Sequence, residues 1–184
     1  MGEPKHLMRL PDGRTLLHAV ADALRPHVGR IVLVIGRDAP GAPCDFPVIA
    51  DLRRGEGPLA GLEALLSSGL DEQYLVCPCD IPLIDGPIIR SLTRASSAPA
   101  TVLHIEGEQR PRPLPARFSH RALDHVRALL DAGERSIRAL IDSLDVDAVE
   151  TSAAEGRGLL NVNDASDFRK VCAVINDQPA KPRT

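Results

Sequence analysis

Short uncharged apolar runs alternate along the chain with longer stretches in which apolar residues recur every three or four positions. The first pattern predicts strands buried on both faces, the second amphipathic helices. Residues 15–28 carry Leu16, Leu17, Val20, Leu24 and Val28 among polar neighbours and predict a helix. Residues 31–35 are continuously apolar and predict a strand; residues 36–46 form a Pro/Gly loop. A short strand over 47–50, a helix over 59–69 built on Leu59, Leu62, Leu65 and Leu66, and a strand over 74–77 follow. A helix is predicted over 86–96, with Pro87 early in it, and a strand over 100–105. Residues 112–118 have three prolines in and beside them and predict an edge strand at best, since proline cannot donate to a ladder. Helices over 120–132 and 136–144, short strands over 146–149 and 159–162, and a helix over 164–175 complete the pattern. Residues 177–184 hold two prolines and two basic residues and read as a disordered tail. The alternation predicts one α/β domain over 1–176, three-layered, with a mostly parallel sheet and helices on both faces.

Composition narrows the function classes. At 184 residues the chain can bury a core as one unit, and 43% hydrophobic with 26% charged residues is ordinary for a globular protein. Only 2% of residues are aromatic, so single strands of nucleic acid lack stacking platforms. A net charge of −3 gives no basic footprint for nucleic acid either. Arg110, Arg112 and Arg117 lie close in sequence and suit an anionic small molecule or a solvated face. The N-terminus is polar and no apolar run is long enough for a membrane, so a cytoplasmic location with reduced thiols is expected. Cys77 and Cys79 belong to no zinc set and read as small buried residues; Cys44 and Cys172 stand alone. The six histidines show no metal spacing, and no serine has a visible base partner.

Two acids stand where predicted strands end. Pro82 biases Ile81 away from helix, which leaves Asp80 at or just past the carboxyl end of a parallel strand. Open α/β sheets bind ligands outside those ends. A carboxylate there can hold Mg²⁺, which takes few protein oxygens and leans on substrate phosphates; capping a turn is its other use. Asp51 ends the strand over 47–50. After it, Gly55-Glu56-Gly57-Pro58-Leu59-Ala60-Gly61-Leu62 opens a helix. Glycine permits positive φ and close backbone approach, and free N–H groups at a helix start suit an anion or a base edge. Asn161 and Asn163 would share one side of a strand, where asparagine is disfavoured. Either they contact a ligand, or Asp164 and Asp167 mark a turn and helix cap.

Gly57-Pro58-Leu59-Ala60-Gly61, Cys77-Pro78-Cys79-Asp80-Ile81-Pro82 and Asn161-Val162-Asn163, in this order, resemble successive motifs of the molybdenum cofactor guanylyltransferases. Gly133-Glu134-Arg135-Ser136, followed by Ile137, Leu140 and Ile141, resembles that family's late helical segment. The resemblance runs from residue 1 to about residue 168. It implies a Rossmann-like nucleotidyltransferase that moves GMP from GTP to molybdopterin with Mg²⁺, and a molybdoenzyme-maturation protein as a partner. It implies that Asp80 holds the metal and Lys5 offsets charge on the leaving pyrophosphate. The segment Gly57, Pro58, Leu59, Ala60 and Gly61 would read the base through its backbone, and Asp51 would sit at the purine or ribose edge. Asn161 and Asn163 would orient the acceptor phosphate or complete the metal shell.

Met1-Gly2 with Lys5 resembles the close of the family's phosphate-loop motif, and the strand and glycine turn that open that motif are absent from the sequence. The resemblance places that strand between the strands over 31–35 and 74–77. A chain without it is expected to pair those two strands directly, recruit a strand, or aggregate through exposed edges. Two alternatives stand beside guanylyl transfer: a cytidylyl or sugar-phosphate nucleotidyltransferase, and a catalytically silent nucleotide- or partner-binding protein of this fold.

Overall fold

The chain is seen in a computed structural model that describes residues 5–36 and 46–177. Cys44, most of the predicted 36–46 loop and the predicted tail beyond residue 177 lie outside the described residues. Thr15 starts the first helix, its hydroxyl accepting from the His18 N–H. This α1, Leu16–Leu24, is followed by a 3₁₀ turn, Arg25–His27, where Pro26 ends the α-helical ladder. Strands β1 (Leu33–Ile35) and β2 (Val48–Ala50) pair in parallel, Val34 opposite Ile49. Helix α2 (Gly57–Ser67) follows, then β3 (Gln73–Val76) and α3 (Gly86–Thr93), the latter capped by Asp85 accepting from the Ile88 N–H. Next come β4 (Ala100–Ile105), β5 (Arg112–Ser119), α4 (Leu123–Asp131), α5 (Ile137–Ser143), β6 (Val146–Thr151) and α6 (Ala165–Asp177).

The four later strands make one sheet in the order β3-β5-β4-β6. β4 and β6 are parallel, and β5 runs antiparallel to both β3 and β4. Three of the four strands therefore share one direction, with β5 reversed, and the fold is the expected α/β arrangement. Helices cover both faces. Alternation along β4 sends Ala100 and Val102 towards α2, α4 and α5, and Leu103 and Ile105 towards α1 and α3. Leu10, Leu16 and Ala19 meet Val162 and Val171 where α6 docks on α1.

Three local expectations are corrected. The strand at Tyr74 pairs antiparallel with β5, Tyr74 opposite Phe118, and not with a parallel neighbour. β5 is interior, not an edge. Its ladder with β4 steps from Val102 opposite Ala116 to Leu103 opposite Arg112, so residues 113–115 bulge out and Pro113 and Pro115 escape the need to donate. Residues 159–162 do not form a strand: a 3₁₀ turn, Glu155–Leu159, leads into extended backbone without a ladder. No helix among the described residues is long and apolar enough to cross a membrane.

Candidate active site

Asp80 lies in a turn just past the carboxyl end of β3. Its backbone carbonyl accepts from the Val162 N–H at 2.8 Å, which brings the Asn161-Val162-Asn163 segment to the end of β3. Its side-chain Oδ1 is buried and has no hydrogen-bond partner. Such an atom is costly unless a cation or ligand donor meets it. Among the described residues no three His, Cys, Asp or Glu side chains gather as a metal cluster. The donor set is thus one carboxylate, which fits Mg²⁺ completed by substrate oxygens and does not fit a closed protein cage.

One cavity of about 1160 Å³ is lined by Asp80, Asp51, Gly36, Gly57, Pro58 and Gly61. Asp51 follows β2 directly and its N–H donates to the Ile35 carbonyl at 3.1 Å. Burial pushes its carboxyl pKa up. The backbones of Gly36 and Gly61 lie against this carboxylate: a Cβ on Gly61 would meet Oδ1 at 3.2 Å and Val34 at 3.1 Å. Gly57, at φ +72°, opens α2, and a Cβ there would meet the Arg135 carbonyl at 3.2 Å. Arg135 is not a site residue in the sequence reading, yet it fixes this turn. Its carbonyl accepts from the Leu59 N–H at 3.3 Å and its guanidinium pairs with Glu56. The signal available is Gly133-Glu134-Arg135-Ser136, where Ser136 caps α5 by accepting from the Ala139 N–H.

The remaining positions divide. The Leu59 and Ala60 side chains are fully buried in the core, so what they present is backbone. Lys5 is exposed in a 3₁₀ turn, Lys5–Leu7, outside the cavity lining. Asn161 and Asn163 are also exposed and outside it, while Val162 between them is buried. The turn-and-cap reading of the next residues holds: Asp164 accepts from the Ser166 and Asp167 N–H groups, and Asp167 accepts from Asn163 N–H. The three arginines do not converge. Arg110 pairs with Asp142, Arg112 with Glu108, and buried Arg117 bonds Thr101 and Gln73. Burial, then the nearby Cys79 and Asp80 charges, push the Cys77 thiol up to about 12, so it stays neutral and inert.

A sheet covered on both faces, with an unpartnered strand-end carboxylate and a glycine-opened helix start on one cavity, is the arrangement of a nucleotide-binding α/β domain. Residues 1–149 match the model of the MobA-like NTP transferase domain, and the chain belongs to that family of nucleotidyltransferases. A probable molybdenum cofactor guanylyltransferase of Mycobacterium marinum is 30% identical over 173 residues, covering 91% of this chain and 85% of that protein. Among solved structures, the molybdopterin-guanine dinucleotide biosynthesis protein A of Archaeoglobus fulgidus superposes with TM-score 0.75 at 19% identity, covering 96% of this chain and 93% of that one. The 2-C-methyl-D-erythritol 4-phosphate cytidylyltransferase of Thermus thermophilus superposes with TM-score 0.72 at 17% identity, covering 94% of each chain. The fold is therefore shared with a molybdopterin-guanine dinucleotide biosynthesis protein and with a cytidylyltransferase.

Proposed function

We propose that this nucleotidyltransferase transfers GMP from GTP to molybdopterin. The observation that carries the reading is the buried, unpartnered Asp80 Oδ1, which shares a cavity with Gly57 and Gly61 at the start of α2. Mg²⁺ held by Asp80 would supply positive charge to the phosphate oxygens. An oxygen of the acceptor's phosphate attacks the α-phosphorus of GTP, the bond to the β-phosphate oxygen breaks, and pyrophosphate leaves. The chain's own part is to position and to neutralise. Asp51 faces the base across Gly61, and a carboxylate can accept from both N–H donors on the guanine edge, where cytosine offers one amino group. Lys5 offsets charge on pyrophosphate. Asn161 and Asn163, held by Val162 beside Asp80, orient the acceptor phosphate.

The similarity to a curated guanylyltransferase favours GTP over CTP, and thermal melting tests it, because a ligand that binds the folded state raises the melting temperature by mass action. GTP with Mg²⁺ is expected to raise it more than CTP, ATP or UTP. A larger shift with CTP would move the protein to the cytidylyl reading; no shift with any nucleotide would favour a silent partner-binding protein.

A further inference from the structure

The loop between Asp51 and Gly57 joins the two elements assigned to the base, yet none of its residues 52–56 is buried. Leu52 is 50% exposed, and Gly55 turns the chain at φ +68°. Core packing therefore does not set this loop. Ion pairs tie it instead: Glu56 meets Arg135, and Arg53 reaches across to α2 and α4.

Arg53 Nε donates to one carboxylate oxygen of Glu63 at 2.9 Å, and Nη2 donates to the other at 3.1 Å. Its Nη1 donates to Asp131, at the end of α4, at 2.6 Å. Glu63 is the one charged residue in the run from Leu59 to Leu66 on α2, and it is buried. Arg127 comes within 3.8 Å of it. A buried ion pair returns little stability over apolar residues of similar volume, because both charges lose their water. What a two-bonded fork does give is geometry: it fixes the plane of the guanidinium, and so restrains the backbone that carries it.

Arg53 stands two residues beyond Asp51. The loop thus meets α2 at two points, Asp51 against Gly61 and Arg53 on Glu63. Asp51 and Gly61 line the cavity, whereas Arg53 and Glu63 do not, so the pair acts on a bound nucleotide only through the loop. We propose that the Arg53–Glu63 fork is a positioning clamp for base selection, holding Asp51 where its carboxylate accepts from both the ring N–H and the amino group of guanine. A carboxylate that must take two donors at once tolerates less displacement than one that takes a single donor. The clamp's role rests on the guanine reading of Asp51 given above. Arg53 and Glu63 are positioning residues, not catalytic ones.

ITP is the probe, since its base keeps the ring N–H of guanine and lacks the amino group. Calorimetric titration of GTP and of ITP, each with Mg²⁺, reads the preference, and hydrogen exchange without nucleotide reads the loop. The natural chain is expected to bind GTP at least about tenfold more tightly than ITP, the scale of one hydrogen bond to a charged group. Glu63→Gln removes the charged acceptor; Arg53→Lys, at a half-buried side chain, keeps the charge and loses the fork. Both are expected to bring the preference to within about threefold. Both should also speed exchange of the Asp51 amide, which bonds the Ile35 carbonyl, about tenfold relative to the Val102 amide. Asp131→Asn, at an exposed carboxylate, leaves the fork intact and should change neither. An undiminished preference in Glu63→Gln and Arg53→Lys overturns the clamp. So does an unchanged Asp51 amide, or an equal loss of GTP and ITP affinity, which would make the pair a support of the whole cavity. A natural chain that binds the two nucleotides alike overturns the guanine reading of Asp51, and base selection with it, while the Asp51 amide still decides whether the fork holds the loop.

Discussion

Val162 and Asp80 are joined main chain to main chain across 82 positions, the Val162 N–H donating to the Asp80 carbonyl at 2.8 Å. Val162 is itself fully buried against Leu10, Leu16, Ala19 and Val171. The turn that carries the Asp80 carboxylate is therefore referenced to the core beneath α1 and α6. The two exposed asparagines are carried to the end of β3 by the valine between them.

Asp80→Asn keeps the shape of the side chain and removes its charge. In a chain that transfers GMP with Mg²⁺, turnover is expected to fall about 10²–10³-fold or more, the scale of losing a main electrostatic contact to the reacting group. Oδ1 is buried and has no protein partner to lose, so in the absence of metal the loss of its charge should leave stability unchanged or raise it. Turnover assays at saturating Mg²⁺ and urea unfolding in chelator read the two effects separately. Near-normal turnover would remove Asp80 from the metal.

The Val162 latch predicts a different split. Val162→Pro deletes the N–H and leaves the Asp80 carbonyl unpaired, at about 1–3 kcal/mol. Val162→Ala keeps the bond and loses two buried methyl groups, at about 0.8 kcal/mol each. The proline variant should lose far more activity than the alanine variant at comparable stability. Equal activity in the two would mean that packing, and not the hydrogen bond, holds the site. Asn163→Ala, at an exposed position, should lower activity with stability changed by less than about 0.5 kcal/mol.

The apolar pattern made the layers legible. A nearly continuous apolar run such as β4, Ala100–Ile105, has no polar face to give solvent, and it lies at the middle of the covered sheet. Asp80 and Asp51 stand out because each follows such a run, and both line one cavity. The reversal of β5 was not legible, because a four-residue apolar strand carries no mark of its neighbour's direction. Its interior place was masked by prolines that the bulge over residues 113–115 accommodates. The 3₁₀ turn before Asn161 reads as a strand because Leu159, Leu160 and Val162 are apolar; Leu159 and Val162 are buried by the turn's docking instead. Arg135 was hidden because its role runs through its carbonyl and its contact with Glu56, which no local pattern encodes.

One corner of the fold predicts a pH response. His104 Nδ1 lies 2.9 Å from Glu150 and Nε2 lies 3.0 Å from the Glu108 carbonyl. The Glu108 carbonyl first, and then Glu150, raise the His104 pKa above its ordinary 6.5. A raised value in the folded state means this stabilisation is fully present below pH 6.5 and is lost as pH rises through the folded value. Arg112 bonds Glu108 and holds its pKa below the ordinary 4.5, so that contribution is present above pH 4.5 and is lost as pH falls through the folded value. Both are complete between pH 4.5 and 6.5. Because Arg112 also donates to the Leu159 carbonyl at 3.2 Å, the same corner steadies the approach to Asn161. Urea midpoints across pH should fall on the alkaline side less steeply in His104→Ala than in the natural chain. An unchanged alkaline slope would show that His104 carries no linkage.

The two glycines at the start of α2 should respond differently to alanine. At Gly57 the backbone is left-handed at φ +72°, and a Cβ would meet the Arg135 carbonyl at 3.2 Å. Gly57→Ala is therefore expected to cost about 1–2 kcal/mol from the conformation alone, and to loosen the turn that Arg135 holds. Stability and nucleotide affinity should fall together. Gly61 lies inside the helix, where alanine is favoured over glycine by about 0.8–1.0 kcal/mol. The new methyl would press on Val34 at 3.1 Å and on the Asp51 carboxylate at 3.2 Å, and each must give by a few tenths of an ångström. Gain and cost offset, so the urea midpoint of Gly61→Ala should stay near that of the natural chain. The displaced partner is the carboxylate assigned to the base edge, so GTP affinity should still fall about tenfold, which corresponds to about 1.4 kcal/mol. Calorimetric titration beside urea unfolding separates the two. Unchanged GTP affinity in a Gly61→Ala variant of unchanged stability would show that Asp51 does not meet the base.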